Sequence, residues 1–231
     1  MPRVPNLRPY RFLPPLAAAS ILGGTLAACG GSSAPPSNGL ATSSATQIWT
    51  AAAKAIGTTN SVHVSGDVST QVKLSMTLFK SGDESGTITA SGQTVQLVAS
   101  HGSYYMDGSL AFWEKAERLP TATATVVAGK WVKLPATAAQ SFSGFSYSGL
   151  LSGLKVPTGK LVKLKASVVG GTHVVGVSSS SSTTLYVPVS GAALPVELAK
   201  SPGSSQFLTF TAWNQGTAPT APKALPFPAL G

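Results

Sequence analysis

The sequence predicts a mainly β chain of the α+β class: one strongly curved antiparallel sheet, or an open barrel, of about eleven short strands with a few helices. Three observations predict it. Val72, Leu74, Met76 and Leu78 alternate with Lys73, Ser75 and Thr77, the two-residue period of a strand buried on one face. Further short apolar runs follow at near-regular spacing, parted by Gly, Ser and Pro. The composition is 43% hydrophobic and only 10% charged, the reverse of the balance that keeps a chain disordered.

The N-terminus reads as an export signal rather than as part of that fold. Arg3, Arg8 and Arg11 precede an apolar stretch from Phe12 to Ala28, broken by Pro14 and Pro15. The stretch is short for a membrane span, which needs about 20 apolar residues. It ends in Leu26-Ala27-Ala28-Cys29, and Cys29 is the only cysteine of the chain. This tetrapeptide resembles a bacterial lipobox. The resemblance implies cleavage after Ala28 and a diacylglyceryl thioether, with further acylation such as palmitate, on Cys29. Two or more acyl chains anchor firmly, where one holds only marginally. Residues 1–28 are therefore expected to be a signal peptide, and the formal charge of +9 overstates the basicity of the working chain.

Residues 29–45 follow as the lipidated cysteine and a Gly/Ser/Pro tether, with a root-mean-square reach of roughly 20–25 Å. A helix is predicted over about 43–57. Ser43 or Ser44 caps it, Ile48, Ala52, Ala55 and Ile56 form its apolar stripe, and Gly57 ends it. Strands then follow: Val62, Val64 and Val68 alternating with polar residues, the 71–78 run, and shorter runs at 86–91, 93–99 and 102–107. Gly82-Asp83-Glu84 reads as turn material. Ser109 caps a short helix over 109–119 with Leu110, Trp113 and Ala116 on one face. Residues 121–128 read as a loop, 130–134 as a strand stopped by Pro135, and 146–154 as a second short helix. Strands resume at 160–169, 172–178, 183–189, 194–200 and 206–213. In the first of these, Val162, Leu164, Ala166 and Val168 face one way, and Lys163, Lys165 and Ser167 the other. Residues 46–215 form one domain without an internal repeat, and 216–231 a Pro/Ala-rich tail extended against it.

Three segments resemble a known family. Ala111-Phe-Trp-Glu-Lys-Ala116, Gly129-Lys-Trp-Val-Lys-Leu-Pro135, and Thr184-Leu-Tyr-Val187 with Leu194-Pro-Val196 look like actinobacterial lipoproteins of the LppX/LprG type, which are similar in fold to the periplasmic carrier LolA. The order of segments is similar too, from lipobox and Ser-rich tether to the second hairpin set. The resemblance implies a half-open β-barrel with helices over its open side and an apolar cavity that holds acyl chains of lipids or glycolipids. It implies an extracytoplasmic, membrane-anchored monomer concerned with lipid transport or presentation, with an envelope exporter as partner.

On that reading the cavity is lined by Val72, Leu74, Met76, Leu78, Val162, Leu164, Leu185 and Val187. Phe112, Trp113, Leu150, Leu151 and Leu154 form the lid. A 16-carbon chain exposed to water costs on the order of 12 kcal/mol, which an enclosed apolar pocket offsets. The plainer reading of each residue is a filled core, and with it an envelope adaptor acting through protein contacts. Lys155, Lys160, Lys163 and Lys165 read as a solvated outer strand face protected against edge pairing, or as a contact with anionic headgroups. Nucleic acid is not an expected partner, because no stripe of stacking aromatics lies beside these lysines.

Enzymatic chemistry finds little to work with. His63, His101 and His173 are far apart and lack metal spacing, so no cofactor is expected. Residues 142–149 hold serines but no Gly-x-Ser-x-Gly elbow. Glu114 and Glu117, beside Lys115 and Arg118, read as a solvated helix face.

Overall fold

The structure is a computed structural model that describes residues 36–152, 154, 159–180 and 183–228. The expected signal peptide, Cys29, and Lys155 lie outside the described residues.

Helix α1 (Ala45–Gly57) opens with a reciprocal cap. The Ser44 hydroxyl accepts from the Gln47 amide at 3.3 Å, and the Gln47 side-chain oxygen accepts from the Ser44 amide at 2.9 Å. Such a cap is worth about 1 kcal/mol. Helical spacing puts Ile48, Trp49, Ala52 and Ile56 on one buried face.

Five strands follow in a meander: β1 (Ser61–Ser69), β2 (Val72–Phe79), β3 (Glu84–Ala90), β4 (Gln93–Ser100) and β5 (Ser103–Gly108). Helices α2 (Leu110–Lys115) and α3 (Thr121–Val127) lead to β6 (Val132–Lys133). Next come α4 (Ala136–Ala139), a 3-10 turn (Gln140–Phe145) and α5 (Tyr147–Ser152). The second strand set is β7 (Leu161–Lys163), β8 (Ser167–Val169), β9 (Thr172–Ser179), β10 (Thr183–Pro188), β11 (Glu197–Ala199) and β12 (Phe207–Thr211), and β13 (Leu225–Pro226) lies in the tail. All join one open, curved sheet in the order β13-β6-β5-β4-β3-β2-β1-β12-β11-β10-β9-β7, with β8 also on β9. Every pairing is antiparallel except β13 on β6.

The predicted fold class therefore holds, and three local expectations change. Residues 121–127 are a helix, not a loop: Ala124 and Val127 are buried against the first core, and that burial outweighs the modest helix propensity of threonine. The 160–169 run is two strands on one partner, β7 against Val177–Ser179 and β8 against Thr172–Val174. Residues 36–44 are docked rather than free, since Asn38 Nδ2 donates to the carbonyls of Pro188 (2.9 Å) and Gly191 (3.2 Å), and Leu40 is buried. In the 216–228 segment β13 pairs with β6, and Phe227 meets Trp113 edge to face.

Two glycines allow close passage of strands. Gly66 (φ +142) and Gly86 (φ +153) have no Cβ where one would meet backbone of Phe207 and of Ser75, respectively. Glycine at such places marks tight bends and close backbone approach.

Two apolar cores lie between the sheet and the helices. The first joins Val62, Val64, Leu74, Met76, Leu78 and Leu97 to Phe112, Trp113 and Val127. The second joins the buried face of α1 to Val175, Val177, Leu185, Val187 and Leu154. Leu151, Leu198 and Trp213 pack against both.

Candidate functional site

The structure splits the expected cavity lining between the two cores. Leu74, Met76 and Leu78 belong to the first, with Val72 packed half-buried against it. Leu185 and Val187 belong to the second, under α1. A side chain bordering a hollow wide enough for an acyl chain keeps surface that no protein atom covers. Met76, Leu78, Leu185 and Val187 keep none, each being 0% exposed. Among the described residues, these side chains are packed as core.

Val162 and Leu164 are a correction, for they lie on the other face of the sheet. Val162 pairs with Ser178 and is 48% exposed. Leu164 packs over Gly176 beside the Tyr186 ring, opposite the face that buries Leu185 and Val187. The expected alternation is present in this run with the opposite face inward, and with period two every side chain then changes sides. Lys163 consequently points toward the start of α1. Its ammonium donates to the carbonyls of Ala41 (2.6 Å) and Ser43 (2.8 Å). Lys160 and Lys165 are exposed.

The expected lid residues all pack against the cores. Phe112 and Trp113 are buried in the first, and the Trp113 indole donates to the Gly108 carbonyl at 3.1 Å. Leu150 and Leu151 are half-buried, and Leu154 is buried in the second. The 3-10 turn between α4 and α5 has no buried residue, and Phe142 and Phe145 rest half-buried on the first core. Two polar pins tie this segment to α1. The Trp49 indole donates to the Leu154 carbonyl at 2.9 Å. The Tyr147 hydroxyl lies 2.6 Å from the Thr59 hydroxyl and within reach of the Thr59 (2.9 Å) and Ile56 (3.2 Å) carbonyls. Nothing in the sequence around Tyr147 points to the second pin. Its partners are about 90 residues away in sequence, which no local pattern encodes.

Glu84 was read as turn material and is a strand residue. Opposite Leu78 and Ala99, it points to the helix-covered face and is 0% exposed. Its Oε1 accepts from the Tyr104 hydroxyl at 3.4 Å, and its Oε2 has no partner. Burial pushes the carboxyl up to about 7 despite that hydrogen bond. Burial first, and then Glu84, push Tyr104 up to about 12. Tyr104 in turn stacks on Phe142, their rings 6.0 Å apart. Period two was the available signal, since Glu84, Gly86 and Ile88 share a face.

Among the described residues, two surface hollows lie away from the expected lining. One, of about 440 Å³, is bordered by Asp67, Val68, Lys200, Gln206 and Phe207 at the strand ends. Another, of about 470 Å³ and mostly apolar, runs between α3 and β13 along Val126, Val127 and Leu225. Neither touches a residue of the expected cavity or lid. On the outer face, the His63 ring lies between Thr77 (3.1 Å) and Ser75 (3.3 Å). No group of metal-binding side chains occurs among the described residues, and no described helix is long and apolar enough to cross a membrane.

No family model matches the sequence, and no curated protein matches it. Among solved structures, the chain is similar to LprF from Mycobacterium bovis at 14% identity and a TM-score of 0.54, over 76% of this chain and 96% of that one. It is also similar to the lipoprotein LppX from Mycobacterium tuberculosis at 16% identity and a TM-score of 0.48, over 75% of this chain and 96% of that one. The likeness to LprF is one of fold: an open, curved, mostly antiparallel sheet with helices over one face.

Proposed function

We propose that this chain is an exported lipoprotein, anchored through acylated Cys29 on the extracytoplasmic side of the cell membrane, that binds the acyl chain of a lipid or glycolipid between the sheet and the 136–154 segment. The carrying observation is the contrast across that space. The sheet contributes a continuous apolar face, whereas the cover is short helical pieces joined by a turn with no buried residue. Elements with few buried contacts open at low cost compared with a core strand. Displacing Phe142, Phe145, Leu150 and Leu151 would hand their apolar surroundings to an acyl chain, which gains about 0.8 kcal/mol per buried methylene.

A second reading has its own support. The 0% exposure of Met76, Leu78, Leu185 and Val187 suits an envelope adaptor with a filled core that works by protein contact. Native mass spectrometry of the full-length Cys29→Ser chain separates the two. Non-covalent lipid carried through purification is the result expected of the first reading. A bare polypeptide mass that also takes up no added acyl probe sinks it and leaves the second.

A further inference from the structure

The strongest unexplained group of the interior is a carboxyl. Among the described residues, Glu84 Oε2 is the one buried side-chain oxygen or nitrogen without a hydrogen-bond partner. Such an atom costs free energy in a fold that gains nothing from it, and an apolar side chain of similar size would remove that cost. The surroundings sharpen the point. Glu84 shares the covered face with Leu78 across β2 and with Ala99 across β4, both buried. The Tyr104 hydroxyl donates to Oε1 at 3.4 Å. Tyr104 is half-buried and carries Phe142 of the thinly packed turn on its ring. Through Tyr104, Glu84 is therefore linked to the 3-10 turn of the cover.

We propose that Glu84, with Tyr104 beside it, is the polar anchor of the ligand site and selects apolar-chain ligands whose head carries a hydroxyl group, such as a glycerol or sugar hydroxyl. The proposal rests on the acyl-chain reading above and names the head chemistry that reading leaves open. The chemistry of a carboxyl favours a hydroxyl over its rivals. A hydroxyl both donates and accepts, so it satisfies Oε2 whether or not the carboxyl holds its proton. Once Glu84 is ionised, a phosphate or carboxylate head sets acceptor against acceptor and like charge against like. A quaternary ammonium has no hydrogen to donate. A plain ester offers only an acceptor. The same burial that pushes Glu84 up to about 7 also penalises the desolvation of an anionic head brought beside it.

The test uses the full-length Cys29→Ser chain, delipidated, with three probes of equal chain length: lauroyl glycerol, lauryl glucoside and methyl laurate. Dissociation constants are read by displacement of an alkyl dye. The wild-type interior is expected to hold the glyceride or the glucoside about tenfold tighter than the methyl ester, the worth of one buried hydrogen bond. The tighter of the two names the hydroxyl's source. Glu84→Leu is expected to erase that preference while still binding methyl laurate, Glu84→Gln to keep most of it, and Tyr104→Phe to lose part of it. Near-UV circular dichroism confirms that each variant is folded. Equal binding of all three probes by the parent chain overturns the anchor and leaves the acyl-chain reading standing, as does an equal loss for all three in Glu84→Leu. Binding of none of the probes overturns both.

Discussion

The indole nitrogen of Trp49 donates to the main-chain carbonyl of Leu154 across 2.9 Å, and both residues are buried. Helix α1 thereby holds the far end of the helical cover. Trp49→Phe keeps most of the ring's packing but strands a buried carbonyl, at a cost of about 1–3 kcal/mol. A lower urea midpoint is expected, with faster uptake of an acyl probe. Slower or unchanged uptake would count against the cover as the moving part.

Tyr147 forms the second pin, its hydroxyl set among the Thr59 hydroxyl and the carbonyls of Thr59 and Ile56. Tyr147→Phe is expected to cost about 1–3 kcal/mol. Hydrogen exchange should localise the effect. Amides of 147–152 lose protection, while those of β2 and β4, deep in the sheet, keep theirs.

Stability should fall as pH rises from about 4.5 to about 7, the interval between the ordinary Glu84 value and the raised one. Below that interval both states hold the proton. Within it the unfolded chain releases the proton and the folded chain keeps it, so the folded state weakens, and above it the loss is complete. The total is about 3 kcal/mol. Glu84→Gln should flatten most of the slope in urea midpoints taken across this range. A residual slope of the same sign is expected from Asp107, Glu117 and Glu197, which burial also raises. Asp83 acts in the opposite sense and lower down. The His101 amide, then the Ser81 hydroxyl, hold its carboxyl below the ordinary 3.8, so its contribution disappears only as pH drops past that value.

Gly86→Ala places a methyl against the Ser75 carbonyl oxygen and 2.7 Å from the Met76 Cα, at a φ of +153 that L side chains rarely adopt. Both of these contacts are backbone of β2, which leaves little room to yield. A loss of about 3 kcal/mol or more is expected from overpacking and strain together. Gly92→Ala, at a hairpin turn with open space around it, should cost less. Thermal melts of the pair give the comparison.

Cys29→Ser is expected to move the protein from the membrane pellet to the soluble fraction and to remove the diacylglyceryl mass from it. Membrane retention without acylation would mean that another segment does the anchoring.

Much of the architecture was legible because its signals are local. The alternation of 72–78 encodes β2, and the Ser44–Gln47 spacing encodes the start of α1. Likewise Ser109 before Phe-Trp encodes α2, where its side chain accepts from the Phe112 amide. What failed were choices made by partners distant in sequence. The 160–169 run alternates equally well with Val162 inward or Lys163 inward. The decision falls to carbonyls at 41 and 43, which receive the lysine. Glu84 follows an Asp after a Gly, a strong turn pattern, yet the register with Leu78 carries it into the strand. The site was less legible than the fold. Period two says which residues share a face, and says nothing about whether that face borders a hollow or a filled interior.

The clasp of Lys163 and Asn38 on residues 36–44 also bears on mechanics. With Cys29 held in a bilayer as proposed, a drag on the body by the moving envelope arrives first at this clasp. Lys163 grips two carbonyls and Asn38 two more, so the load passes into β7 and the β10 end of the sheet before it reaches α1. Under that proposed anchoring the clasp would act as a strain relief, like the collar on a cable, between the lipid surface and the Trp49 and Tyr147 contacts.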